Sequence, residues 1–151
     1  MDSPSLTAAR HFLSLLQDDK NISDRDLAQA LDELVIAYHH TPEGDPSEND
    51  AEPPGTSYQE RRLRLSKRFP DYGCYAVGDW TEPLSNVSVI ADAIDDLADI
   101  EADIEDAVWR AENIGIDDAH WHFRFNFEVH WGRHLRQLSV YLFEKIAQGR
   151  D

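Results

Sequence analysis

Residues 119–134, Ala-His-Trp-His-Phe-Arg-Phe-Asn-Phe-Glu-Val-His-Trp-Gly-Arg-His, decide how this chain is read. From Trp121 to Trp131 apolar and polar residues alternate strictly, which is the pattern of a half-buried strand. A strand of that length needs a partner for its backbone N–H and C=O groups. No second segment of comparable length and pattern exists, and a lone strand is not stable in water. Wound as a helix, the same residues form two clusters on separate flanks, Trp121, Phe125 and Val129 on one and Phe123, Phe127 and Trp131 on the other. The second cluster continues through Leu135, Leu138 and Leu142. A helix apolar over most of its circumference belongs at the centre of a bundle, so a buried helix is expected from about 118 to 148, capped by Asp117. Gly132 costs about 1 kcal/mol relative to Ala inside a helix, which implies that a large group packs closely there.

The remaining segments also read as helices. Leu6, Ala9, Phe12, Leu13 and Leu16 have helical spacing, and Asp24 can cap a second helix striped by Leu27, Leu31, Leu34, Val35 and Tyr38. That helix should fail at His39–His40, ahead of Thr41-Pro42. Residues 42–55 hold five acids, four prolines and two glycines, the composition of a mobile loop. A short basic helix follows from Tyr58 to Phe69, then irregular backbone in which Tyr72, Tyr75 and Trp80 pack down and Val77 can join a very short strand. Residues 85–112, capped by Ser85 or Asn86, run without Gly or Pro to a stop at 113–115. The fold class expected is an all-α antiparallel bundle of four to five helices, one domain spanning 1–151, with a long buried C-terminal helix and an irregular acidic loop.

Composition bounds the function. Lys and Arg number 14 against 30 Asp and Glu, a net charge of −16, which disfavours nucleic acid and anionic membranes as partners and suits a basic protein partner. No apolar run approaches the roughly 18 residues of a membrane helix, and the start has no signal-peptide pattern. The lone Cys74 fits a reducing compartment, so a cytoplasmic location is expected.

On the 85–112 helix, Val87, Ile90, Ile94, Leu97, Ile104 and Val108 make an apolar stripe. Asp92, Asp95, Asp96, Asp99, Asp103 and Asp106 fall opposite, where like charges are ordinarily solvated. Glu101 is the exception, a carboxylate on the apolar stripe that must be paired, hydrogen-bonded or protonated if buried. His130 and His134 stand i, i+4, so one ion can reach both. Glu101, Glu128, His130 and His134, with Asp95 or Asp99, are therefore the candidate metal ligands, although the Glu-x-x-His signature of di-iron bundles is absent. The basic 61–68 segment is expected to pair with the Asp92–Asp106 face, and Arg124 and Arg133 with the acidic helix or loop.

Ala-Tyr-His-His-Thr-Pro-Glu-Gly (37–44), Asp-Asp-Leu-Ala-Asp-Ile (95–100) and His-Trp-Gly-Arg-His-Leu (130–135) lie along a chain that resembles a bacterial domain-of-unknown-function family, number 5063 in that series, over nearly its whole length. That resemblance implies a small helical protein without an assigned activity, catalytic residue or cofactor. The family commonly reads Asp-Pro where this chain has Asp79-Trp80, so that turn differs. With no nucleophile constellation and no phosphate loop, the first functional expectation is a noncatalytic interaction or regulatory domain with an acidic surface. The alternative is a metal-dependent helical enzyme of hydrolase type, its ligands drawn from facing helices.

Overall fold

The computed structural model describes residues 3–79, 81–82 and 89–149. Its elements are α1 (Pro4–Gln17), α2 (Asp24–His40), α3 (Tyr58–Arg68), β1 (Cys74–Val77), β2 (Val89–Asp92), α4 (Ala93–Asn113), α5 (Ile116–Asn126), a π-helical turn (Phe127–Trp131) and α6 (Gly132–Gln148). The chain is essentially all-α, as expected.

α1 to α4 each start where a side chain accepts from the first backbone donors. The Ser3 side chain accepts from Leu6 N ahead of α1, and Ser57 from Glu60 N ahead of α3. Ser23, not the expected Asp24, caps α2 in a reciprocal box with Asp26. Asp117 is not a cap either; α5 starts after Gly115 without any side-chain cap bond.

α4 begins later than the sequence suggests. Ile90 and its neighbours extend as β2, antiparallel to β1 with Val77 opposite Val89, and Asp92 caps the helix by accepting from Ile94 N at 2.9 Å. Ile90 is consequently exposed instead of lying on the apolar stripe. β-branched residues prefer this pleated setting, and the short β1 supplies the pairing that helix periodicity does not reveal. The proposed caps Ser85 and Asn86, with Val87, lie outside the described residues.

The long C-terminal helix is present as expected, with Leu135, Leu138 and Leu142 buried, but the element packed on most sides is α4. α4 packs against α1, α3, α5 and α6, with Leu97, Ile100 and Ile104 fully buried. Each such side chain stabilises the fold by about 1.5–3 kcal/mol relative to leaving it in water. The 116–148 stretch is helical, but only one of its aromatic clusters is buried. Trp131 is sealed off, its indole N–H donating to Phe123 O at 3.2 Å, and Phe127 stacks on Tyr38 of α2 at 4.0 Å. The other cluster faces solvent: Phe125 stacks on Trp121, and Val129 is 61% exposed. A second apolar flank was thus mistaken for a second buried face.

Gly132 closes the π turn by donating its N–H to Phe127 O. A Cβ at 132 would collide with that carbonyl and meet the Phe127 ring at 3.0 and 3.1 Å. The large group expected beside this glycine is therefore Phe127 itself.

The 42–55 segment has no regular structure, in keeping with its composition, yet its first part is seated on α5. Gly44 adopts φ +69°, which glycine accepts without strain, and a Cβ there would collide with Asp117 O and approach Trp121 N to 2.9 Å. Asp45 N donates to Asp117 O at 3.2 Å, and Ser47 N to the buried Asp118 carboxylate at 2.8 Å. Beneath this seat His120 is 6% exposed, its Nε2 without a hydrogen-bond partner, and burial pushes its pKa below the ordinary 6.5. A histidine kept neutral in the fold contributes stability above its unfolded pKa that is lost as pH falls through the lower folded value. Wild type should therefore lose stability relative to His120→Met as pH drops from 7.5 to 5, measured by urea unfolding. Parallel curves would show that His120 does not titrate with unfolding.

Candidate metal centre

The π turn and the first turns of α6 lie across the aspartate face of α4. His130 contacts Asp103 and Asp99, while His134 contacts Asp99 and Asp96, so the two helices run antiparallel along this seam. Asp96, Asp99 and Asp103 stand three and four residues apart, one side chain per turn. The face is not simply solvated. Asp96 is 1% exposed, and Asp99 and Asp103 are half-buried. Periodicity placed these acids opposite the main apolar stripe correctly, but it could not show that another helix covers them.

The two imidazoles are held alike. His130 Nδ1 lies 2.6 Å from Asp103 Oδ2, and His134 Nδ1 lies 2.7 Å from Asp96 Oδ1. Ionised carboxylates only accept, so each Nδ1 carries a proton and donates it. Both Nε2 atoms then face one oxygen, Asp99 Oδ2, at 3.8 Å from His130 and 3.0 Å from His134. The rings meet edge to face with centroids 5.0 Å apart.

The supporting groups are ordered too. Tyr75 of β1 donates its hydroxyl to Asp96, and Tyr58 of α3 donates to Asp95. Burial, then the bonded carboxylate, raises both phenols, Tyr58 to about 12. The hydrogen bond to Asp96 is the largest influence on His134 and, with the charges of Asp99 and Asp95, holds its pKa above 6.5 against burial. Burial raises the pKa of Asp99 and Asp103, opposed in Asp99 by His134 and in Asp103 by His130.

Donor atoms of Asp99, His130 and His134 lie within 4.8 Å of one another, as do those of Asp95, Asp96 and His134. The first set is better suited to a transition metal because it offers two imidazole nitrogens. Side-chain exposures of 44% for His130, 22% for His134 and 23% for Asp99 leave an approach from solvent.

Neither expected glutamate joins this set. Glu101 is fully buried on another side of α4, where Arg61 Nη1 donates to its Oε1 at 2.5 Å and Arg64 donates to the same oxygen. Residues 99 and 101 point roughly 160° apart on a helix, so Glu101 cannot turn to the histidines. Burial raises its pKa, opposed by the two guanidiniums, and Oε2 has no partner. Arg61 also bonds Glu105 at 2.9 Å and Arg62 pairs with Asp92, so the basic α3 is latched onto α4; the Arg62–Asp92 pair lies on the aspartate face, as expected, whereas Arg61 and Arg64 reach Glu101 and Glu105 off that face. Glu128 accepts from Tyr38 OH at 2.7 Å, and its side chain is 50% exposed. Arg124 does not seek the acidic helix; it donates to the carbonyls of Tyr38 and Thr41, both at 3.0 Å, where α2 ends. The sequence places Asp96 and Asp103 on the aspartate face and Tyr75 in the irregular segment without giving them a part in the site, whereas Asp95 and Asp99 are among its candidate ligands.

No family model matches the chain, and no curated protein matches it. The fold is similar to the crystal structure of protein BF1032 from Bacteroides fragilis, with a TM-score of 0.72 and 18% identity over 93% of this chain and 89% of that one. At that identity the likeness shows the fold alone. No helix among the described residues is long and apolar enough to cross a membrane.

Proposed function

We propose that this protein binds one divalent transition-metal ion through Asp99, His130 and His134. One observation carries the reading: both imidazoles have Nδ1 fixed by a carboxylate and present Nε2 to a shared third carboxylate. Carboxylate–histidine pairs of this kind orient metal-binding histidines and raise their basicity. Ligand atoms about 2.0–2.1 Å from one ion at near-tetrahedral angles stand about 3.3 Å apart. The Nε2–Oδ2 separations of 3.0 and 3.8 Å bracket that value. Imidazole nitrogens favour Zn, Fe, Ni or Cu over Mg and Ca, and the Asp99 carboxylate also suits Mn. With three protein ligands the ion keeps a position for water, which it would acidify for hydrolytic chemistry.

Thermal melting after chelator treatment, with and without added Zn²⁺, tests this. At a free concentration a hundredfold above Kd, stabilisation is about 2.7 kcal/mol. For a domain of this size the expected rise in Tm is about 5–10 °C. No rise with Zn²⁺, Mn²⁺ or Co²⁺ would overturn the proposal.

A second reading rests on the exposed acids Glu43, Asp45, Glu48, Asp50 and Glu52 in the 42–55 segment. They supply the acidic surface of a noncatalytic interaction domain with a basic protein partner, and pull-downs at low salt compared with a charge-neutralised segment test it. Kinship with the domain-of-unknown-function family 5063 is likewise our proposal, supported by the motifs at 37–44, 95–100 and 130–135.

A further inference from the structure

Beside the His130–His134 row lies a cleft of about 910 Å³ between the β1–β2 hairpin and the start of α6. That volume is at the upper end for small-molecule sites. Val77, Val89, Ala91 and Phe127 give it apolar walls, and Arg133 and Arg136 line the same space. In a chain of net charge −16, most described arginines are bonded to carboxylates or carbonyls. Arg133 and Arg136 are exposed and have neither an ion pair nor a hydrogen bond among the described residues. The acids nearest in the lining are engaged elsewhere, Glu128 with Tyr38 and Asp79 with Thr81.

Two guanidiniums one helical turn apart repel each other, and no carboxylate among the described residues pairs with either. Each presents a planar fork of donors suited to oxyanions. Their combined charge matches a phosphate, which carries about −1.5 to −2 at neutral pH, better than the single charge of a carboxylate. Arg133 stands three residues from His130 and Gln137 three from His134, so the cleft and the histidine row share adjoining strips of one helix surface.

We propose that this cleft binds a small phosphomonoester, with Arg133 and Arg136 holding the phosphate and the apolar walls packing against the organic group. Only the placement of that ligand next to a metal ion rests on the proposed function; recognition of the phosphate by the two arginines does not.

Phenyl phosphate and benzoate, titrated calorimetrically into the metal-free full chain, separate these claims. Wild type should bind phenyl phosphate at least tenfold more tightly than benzoate. Arg133→Gln/Arg136→Gln, whose exposed positions should leave the circular dichroism spectrum unchanged, should weaken phenyl phosphate at least tenfold. If no metal binds but the arginine pair still governs phenyl phosphate, the metal centre fails and this subsite stands. Absence of phenyl phosphate binding, equal binding by the arginine variant, or benzoate binding as tightly would each overturn the subsite.

Discussion

Replacing Arg61 by Leu should destabilise the protein by about 3–5 kcal/mol, because it strips a buried carboxylate of its main partner. The Glu101 side chain is 0% exposed and that of Arg61 only 7%, so neither can recover its hydration without opening the α3–α4 contact. Arg64 is 42% exposed and shares the same Glu101 oxygen, leaving Oε2 as bare as before. Loss of Arg61 also frees Glu105, although Gln17 still donates to it at 2.5 Å. The double variant Arg61→Leu/Glu101→Leu should regain most of the lost stability, since a buried ion pair replaced by apolar groups of similar volume is often neutral or better. Urea unfolding of the two single variants and the double one measures the coupling. Additive losses would mean that the pair is not a unit.

His130→Ala/His134→Ala should abolish the metal-induced rise in Tm and lower affinity for Zn²⁺ by at least about a hundredfold, since it removes both nitrogen ligands and leaves only carboxylates. Asp103→Asn should act less severely, by about 10–100-fold, because it alters the group that orients His130 and not a ligand. The graded order matters more than either value. If Asp103→Asn and the double histidine variant were equally harmless, the imidazoles would be structural partners of α4 and nothing more. In the metal-free state the double variant should cost about 1–3 kcal/mol, because the buried Asp96 loses His134 and, among the described residues, keeps the Tyr75 hydroxyl alone.

The helical class was legible at 119–134 because a strand there would have had no partner, and that reasoning needs no tertiary information. The central role of α4 was not legible. Its apolar stripe predicted one buried face, but Asp96 lies under Tyr75 and His134 on another, and only the packing of α6 and the hairpin makes that so. The π turn escaped for a related reason. Gly132 signalled crowding, yet the four-residue steps Phe123, Phe127, Trp131 and Leu135 are also compatible with an unbroken α-helix. Within the candidate site, the histidine pair was readable from its i, i+4 spacing. Its partners were misread in one respect that geometry on the helix wheel could have prevented. Glu101 shares the face of Leu97 and Ile104, whereas a histidine row able to meet Asp99 has to lie on the aspartate side. Arg61, sent by the basic α3 to the opposite flank, was the partner that Glu101 required.

Anomalous diffraction from crystals of the full chain grown with one equivalent of Zn²⁺ tests the metal centre most directly. A single strong peak is expected about 2.0–2.2 Å from an Asp99 carboxylate oxygen, His130 Nε2 and His134 Nε2, with both Nδ1 atoms still bonded to Asp103 and Asp96. An empty seam between α4 and α6, or peaks only at exposed carboxylates of the 42–55 segment, would contradict it.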